Sequence, residues 1–145
     1  MSTLEEQIDV NAPIDKAWGV LHRPETYPQY IDGVRSAEPR GDRGAHLSTD
    51  RGRTREYDAT ITDTDRGQER TMRWETADPR KLSGSFSLRA VDADHTQVQA
   101  RVVYDPDAVR GDIGGPKTGI AQASAMERVV RADLEHFKDV VEHRR

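Results

Sequence analysis

The sequence predicts an α+β chain: a seven-stranded antiparallel sheet curved around a long C-terminal helix, with two short helices between the first and second strands. Three observations predict it. Apolar and polar residues alternate in the first ten residues and again between Val34 and Tyr104, the period of strands buried on one side. Turn signals cut the second stretch into six segments, joined too tightly for crossover connections. From Ile120 to His143 the apolar spacing changes to three and four, the period of an amphipathic helix.

Taken in order, the first strand sets Leu4, Glu6, Ile8 and Val10 on one face and Glu5, Gln7 and Asp9 on the other. Asn11-Ala12-Pro13 ends it, and Pro13 suits a helix start because its missing N–H needs no partner there. A short helix runs from Ile14 to about His22, with Ile14, Ala17, Trp18 and Leu21 on one face, until Pro24 breaks it. Glu25 to Ile31 is a second short helix carrying Tyr27, Tyr30 and Ile31, and Asp32-Gly33 turns the chain. The turns that follow are Gly41-Asp42, Arg51-Gly52, Asp65-Arg66-Gly67, Asp78-Pro79 and Asp92-Ala93-Asp94. The fourth strand faces Tyr57, Ala59 and Ile61 inward, and the fifth Met72 and Trp74. The sixth faces Leu82, Gly84, Phe86 and Leu88 inward, and the seventh Val98, Ala100, Val102 and Tyr104. Asp105 to Gly119 has no period and is long for a connection, which suits a binding loop or lid. The closing helix sets Ile120, Ala123, Met126, Val130, Leu134, Phe137 and Val141 in one stripe, with Arg128, Arg131, Glu135, Asp139 and Glu142 toward water.

A sheet with one apolar face must cover it, and the stripe of the last helix is the long apolar surface at hand. A strongly bent sheet is not filled by a stripe so rich in Ala, Val and Met, so a cavity between sheet and helix is expected. Composition agrees: 34% hydrophobic residues in 145 make a modest core, as a hollow protein has. The whole chain, 1–145, reads as one domain.

Net charge is −4 with both signs mixed along the chain, so no basic stripe points to nucleic acid and no basic apolar helix to a membrane surface. No apolar run reaches the length of a membrane span, and the first residues lack the pattern of a signal peptide, so a cytoplasmic location is expected. Without cysteine there are no disulfides, thiolate nucleophiles or thiolate metal sites. No phosphate loop, nucleophile elbow or zinc-binding helix motif occurs, and no metal or cofactor is expected.

The stretch Ile8 to Trp18, in which a strand ends at Ala12-Pro13 and a helix carries Trp18, resembles the opening of the START-like (SRPBCC) superfamily. Pro28-Gln-Tyr-Ile-Asp-Gly-Val34 resembles its second helix leading into the second strand. Thr96-Gln-Val98 with Tyr104-Asp-Pro106 resembles its last strand, and Asp133 to Glu142 its closing helix. Within the superfamily the chain is most similar to the bacterial polyketide cyclase/dehydrase group. The resemblance implies a helix-grip fold holding a small hydrophobic or polyketide-like ligand, with an acyl carrier protein as a candidate partner. Many relatives carry a bulky aromatic in the third strand where this chain has Leu47, so pocket shape does not transfer.

Arg55 shares the parity of Tyr57, Ala59 and Ile61. A guanidinium over an apolar pocket would steady an enolate or carboxylate; a strand-end position in water is the even alternative. Arg55 and Tyr57 are therefore the catalytic candidates. Tyr30, Trp74, Gly84, Phe86, Tyr104, Met126, Val130 and Phe137 are the ligand-binding candidates, the aromatic ones offering apolar bodies, several with a polar tip. Gly84 either leaves room for ligand or marks a bulge. Thr49, Thr76 and Ser36 would add hydroxyls to the wall. His46, beside Leu47, is expected to face outward, and His136 and His143 to be solvated. Neither an inward carboxylate pair nor an inward histidine stands out, which weighs against demanding acid–base chemistry. Two readings follow: a polyketide aromatase/cyclase-like enzyme in natural-product biosynthesis, and a non-catalytic carrier or sequestering (resistance) protein for a lipid or aromatic natural product. A stress or quinone-handling protein is a third, weaker reading.

Overall fold

The computed structural model describes residues 2–31, 34–41, 44–50, 54–76, 83–104 and 119–143; for Ser2, Thr49, Asp50, Thr54, Arg55, Tyr57 and residues 119–125 it describes the backbone alone. The turns at Arg51-Gly52 and Asp78-Pro79, Leu82, and the segment between Asp105 and Thr118 lie outside the described residues.

Strand β1 (Ser2–Val10) is followed by helix α1 (Ile14–Leu21), a 3₁₀ turn (Pro24–Thr26) and helix α2 (Tyr27–Tyr30). Then come β2 (Val34–Pro39), β3 (Gly44–Asp50), β4 (Thr54–Asp65), β5 (Glu69–Thr76), β6 (Ser83–Asp92) and β7 (His95–Tyr104), and the long helix α3 (Gly119–His143). The strands form one curled antiparallel sheet in the order β1-β7-β6-β5-β4-β3-β2. Strands β2 to β7 are a meander, while β1 joins at the far edge beside β7. The two short helices therefore carry the chain from one edge of the sheet to the other. Pro39 ends β2, an edge strand, where a missing N–H costs no ladder bond.

The register fixes which side chains share a face. One row runs Leu4, Val102, Gly84, Trp74, Ile61 across five strands, and the next runs Glu6, Ala100, Phe86, Met72, Asp63. These are the faces expected from period two. Two turns use glycine's freedom at positive φ, Gly41 at 62° and Gly67 at 79°. Aspartates brace the second of these and one further turn: Asp65 Oδ1 accepts from Gly67 N–H and Asp92 Oδ1 from Asp94 N–H, both at 2.8 Å.

Helix α1 begins at Ile14 as expected, behind Pro13 as N-cap at φ −61° and ψ 149°, whose carbonyl accepts from Lys16 and Ala17. Other local details differ from the sequence reading. Pro24 opens the second helical segment instead of only ending the first, and the segment splits into a 3₁₀ turn and one α turn. A bulge between Val34 and Ser36 sets Ser36 opposite Ser48 and leaves it exposed, not in the wall. Glu142 is partly covered rather than free in water. Its side chain is 16% exposed and accepts hydrogen bonds from Asn11 N–H at 2.9 Å and from Lys138 Nζ. Burial would raise its pKa, but those two donors hold the carboxyl below the usual range.

The core gathers Val10, Val20, Leu21, Leu88, Val98, Leu134, Phe137 and Val141 where α1, the sheet and α3 meet. Two buried hydroxyls tie its connections. Thr96 Oγ1 donates to Ala12 O at 2.8 Å, and Thr26 Oγ1 to Arg23 O at 2.7 Å and Val20 O at 3.2 Å. Each satisfies a carbonyl freed where an element ends. Lys138 Nζ donates to Asp9 O at 3.1 Å, which fixes the end of α3 against β1.

Candidate ligand-binding site

Helix α3 makes its close backbone approaches to β1, α2 and α1. Burial along the inner face is uneven. Leu88, Val98 and Thr96 are fully buried near α1, whereas Leu4, Val102, Gly84, Trp74 and Ile61, one row of the same face, are all half-buried. Leu47, Ala37 and Val34 continue this partly covered apolar surface onto β3 and β2. A side chain on the covered face of a sheet reaches near-complete burial when the covering element fills the space over it. Here the covering is partial along a whole row.

The structure brings most of the candidates to this face or to the helix above it. Tyr30, Tyr104, Met126, Val130 and Phe137 belong to one buried apolar cluster, and Phe86 packs against it. Phe137 meets Tyr30 edge-on at 5.1 Å between ring centroids, and Tyr30 meets Tyr27 at 5.8 Å. These T-shaped contacts set positive ring edges against negative ring faces. Tyr27 donates to Leu21 O at 2.8 Å. Burial, with Asp63 and Glu25 adding repulsion, pushes its phenol pKa up.

Gly84 lies neither in a bulge nor under open space. The register passes through it without a shift, from Trp74 on one side to Val102 on the other. A Cβ there would stand 2.7 Å from the Trp74 ring, so the room that glycine leaves is filled by the indole. Gly84 thus shapes this wall through Trp74. Arg55 pairs with Thr49 and Tyr57 with Leu47 in the β3–β4 ladder, at the same parity as Ala59 and Ile61. Their side chains lie outside the described residues, as does that of Thr49.

Apart from Glu6, which the alternation of β1 already set on this face, the sequence reading missed a set of charged groups on the inner side. Parity continued past Ile61 sets Asp63 opposite Met72 and Asp65 opposite Arg70. Arg70, its side chain 13% exposed, pairs with Asp15 of α1 at 2.7 Å and with Asp65 at 3.3 Å. His22 lies against Trp18 with ring centroids 4.4 Å apart and planes tilted by 48°, and places Nδ1 2.8 Å from Trp18 O and Nε2 2.8 Å from Asp63 Oδ2. Glu6, half-buried in the inner row, takes Arg131 of α3 at 3.1 Å. So carboxylates and a histidine do stand on this side, each engaged with a partner that fastens α1 or α3 to the sheet. The signal was present in the alternation of β4 and β5; reading the apolar residues alone left it unused.

His46 does face outward, with Nδ1 2.8 Å from Asp58 and Nε2 3.1 Å from Glu56. Those two acceptors raise its pKa above the ordinary histidine value. His136 and His143 are exposed. Among the described residues no group of three or more His, Asp or Glu is arranged to hold a metal ion, and no helix is long and apolar enough to cross a membrane.

The order of strands, the two helices crossing between edges and the closing helix can now be set beside known proteins. The family model described as "Polyketide cyclase / dehydrase and lipid transport" matches residues 1–142. The chain belongs to that family. A relative from Streptomyces lincolnensis, an uncharacterised 17.2 kDa protein encoded in the melC2–rnhH intergenic region, is 32% identical over 99% of this chain and 92% of its own. Among solved structures, the Zhui aromatase/cyclase of Streptomyces sp. R1128 superposes with a TM-score of 0.70 at 21% identity, covering 99% of this chain and 94% of that one. A START superfamily protein from Mycobacterium smegmatis gives 0.68 at 14% identity, with 98% and 95% covered. A STAR-related lipid transfer protein from Xanthomonas axonopodis gives 0.71 at 16% identity, with 96% and 85% covered. At these identities the three structures establish the START-like, helix-grip fold of this member of the polyketide cyclase/dehydrase and lipid-transport family.

Proposed function

We propose that this family member binds a small hydrophobic or aromatic molecule between the sheet and α3, and acts on it as a polyketide cyclase or aromatase. The observation that carries the binding step is the half-buried row Leu4, Val102, Trp74 and Ile61 on the face that α3 covers. An apolar wall of this kind gains by covering itself with an apolar ligand, at roughly 25 cal/mol per Å² buried. Trp74, Phe86 and Tyr104 offer flat contact surfaces, while Met126, Val130 and Phe137 form the roof. In the cyclase reading the site folds a poly-β-ketone so that reacting carbons meet, Arg55 steadies the enolate oxygen and Tyr57 relays a proton. The donor of such a chain is an acyl carrier protein.

A specific observation supports the second reading, a non-catalytic carrier or sequestering protein. The described ionisable groups of the inner side are each committed to a structural pair: Glu6 with Arg131, Arg70 with Asp15 and Asp65, and Asp63 with His22. Arg55→Ala separates the two. Loss of turnover of a carrier-bound poly-β-ketone, with ligand affinity nearly intact, supports the cyclase. Affinity changes with no product from either protein support the carrier. Native mass spectrometry of the purified protein tests the binding step common to both, through a co-purifying small molecule.

A further inference from the structure

We propose that Trp74 is the specificity-determining residue of this site: its indole N–H donates a hydrogen bond to an oxygen acceptor on the bound molecule and selects an aromatic carbonyl compound over a hydrocarbon of the same shape. The proposal rests on the ligand reading above and narrows it to a chemical class. The register sets Trp74 on the inner face, in one row with Ile61, Gly84 and Val102. Its side chain is half-buried, so part of it borders open space. Ile61, Val102 and Phe86 on the same face pack against the buried core; among the described residues Trp74 does not. It rests on the neighbouring strand instead. A Cβ at Gly84 would meet Cζ2 of the indole at 2.7 Å and Cε2 at 3.0 Å. The ring edge beside the N–H therefore lies over β6, inside the partly covered row.

An indole N–H can only donate, and a covered one ordinarily finds an acceptor. This one makes no hydrogen bond within the described protein, yet it is not among the buried atoms that lack one. It is thus within reach of water in the free protein and carries no penalty there. A ligand that fills the row drives that water out. A hydrocarbon leaves the N–H dry and unpaired, which costs binding energy, whereas a ketone or enolate oxygen replaces the lost water. Discrimination comes from the stranded donor more than from the new bond. Neighbouring Gly84 holds this arrangement, because its missing side chain lets the indole edge settle over β6.

The test titrates 2-acetylnaphthalene and 2-isopropylnaphthalene, a ketone and a hydrocarbon of matched shape, into the wild type and Trp74→Phe, with binding followed by calorimetry. Phenylalanine keeps an aromatic ring and removes the donor. The expected result is a ratio of ketone to hydrocarbon affinity about five- to thirtyfold lower in the variant than in the wild type. The second measurement uses the wild type alone: the Trp74 indole N–H proton resonance should move downfield with the ketone and not with the hydrocarbon, the Trp18 indole serving as internal reference. This readout decides the matter where the variant fails to fold. An unchanged affinity ratio, or an indole resonance that responds alike to both probes, leaves the ligand site standing and overturns the role of Trp74. Failure of both probes to bind the wild type overturns the site and this role together.

Discussion

A side chain at position 84 has nowhere to go. Its Cβ would stand 2.2 Å from the Arg101 carbonyl oxygen and 2.7 Å from the Trp74 ring, and the first of these atoms is backbone that cannot swing aside. Gly84→Ala should therefore cost about 1–3 kcal/mol, as overpacking does, and shift tryptophan emission as the Trp74 indole is displaced. Chemical unfolding and a fluorescence spectrum check both; a neutral substitution with unchanged emission would show that the indole does not rest on this strand. The sequence marked position 84 as unusual but could not say what filled it, because the answer lies ten residues away on a neighbouring strand. The same limit applied to the tyrosines. Tyr27 and Tyr30 look alike in sequence, three residues apart on one helical face, and only the coordinates show that one hydroxyl has found a carbonyl and the other has not.

Among the elements, α3 was the most legible, since apolar residues spaced by three and four over so many turns line up on one side of a helix and scatter on a strand. Strand parity was nearly as clear and set His46 correctly on the outer face of β3. There it lies between Glu56 and Asp58, both across the ladder on β4. Its pKa is raised above the ordinary 6.5, so the protonated ring is favoured in the folded state. The resulting stabilisation is fully present below the unfolded value and is lost as pH rises through the higher folded value. Wild type should thus exceed His46→Gln in stability at pH 6, with the difference fading as pH climbs past the usual histidine range; denaturant midpoints at pH 6 and 9 check this. The opposite trend would mean that the ring is not held between the two carboxylates. What the sequence hid at this scale were departures of one residue: the bulge in β2, the split of the Pro24–Tyr30 segment and the engagement of Glu142 by Asn11 and Lys138. Each depends on a contact between elements rather than on a period within one.

For the whole molecule, element order and the layered architecture were legible because alternation, turns and one amphipathic stripe leave few arrangements. The site was less so. Whether a space remains between two layers depends on how far apart they stand, which no local pattern encodes. The half-buried inner row implies that a ligand filling the space will add to the energy of the folded state alone. At a free concentration one hundred times its Kd, such a ligand should stabilise the protein by about 2.7 kcal/mol, roughly 5–10 °C in unfolding temperature for a chain of this size. A thermal scan with any molecule found by native mass spectrometry checks it. Absence of a shift at saturation would mean that the molecule sits on the surface or binds the unfolded chain equally well.

The edge position of β1 bears on how the chain assembles. Its nine residues pair with β7 from Ser2 opposite Tyr104 to Val10 opposite Thr96, so β1, made before the other six strands, has no mate until the last of them has been made. The meander from β2 to β7 can zip up hairpin by hairpin, each step closing a short loop. The join of β1 to β7 instead closes a loop of nearly ninety residues at its tightest pair, Val10 with Thr96, and has the largest loop-closure cost of any strand pairing in the sheet, although that cost grows only slowly with length. Until then β7 stands as a bare edge, and the nascent protein must wait with β1 unpaired.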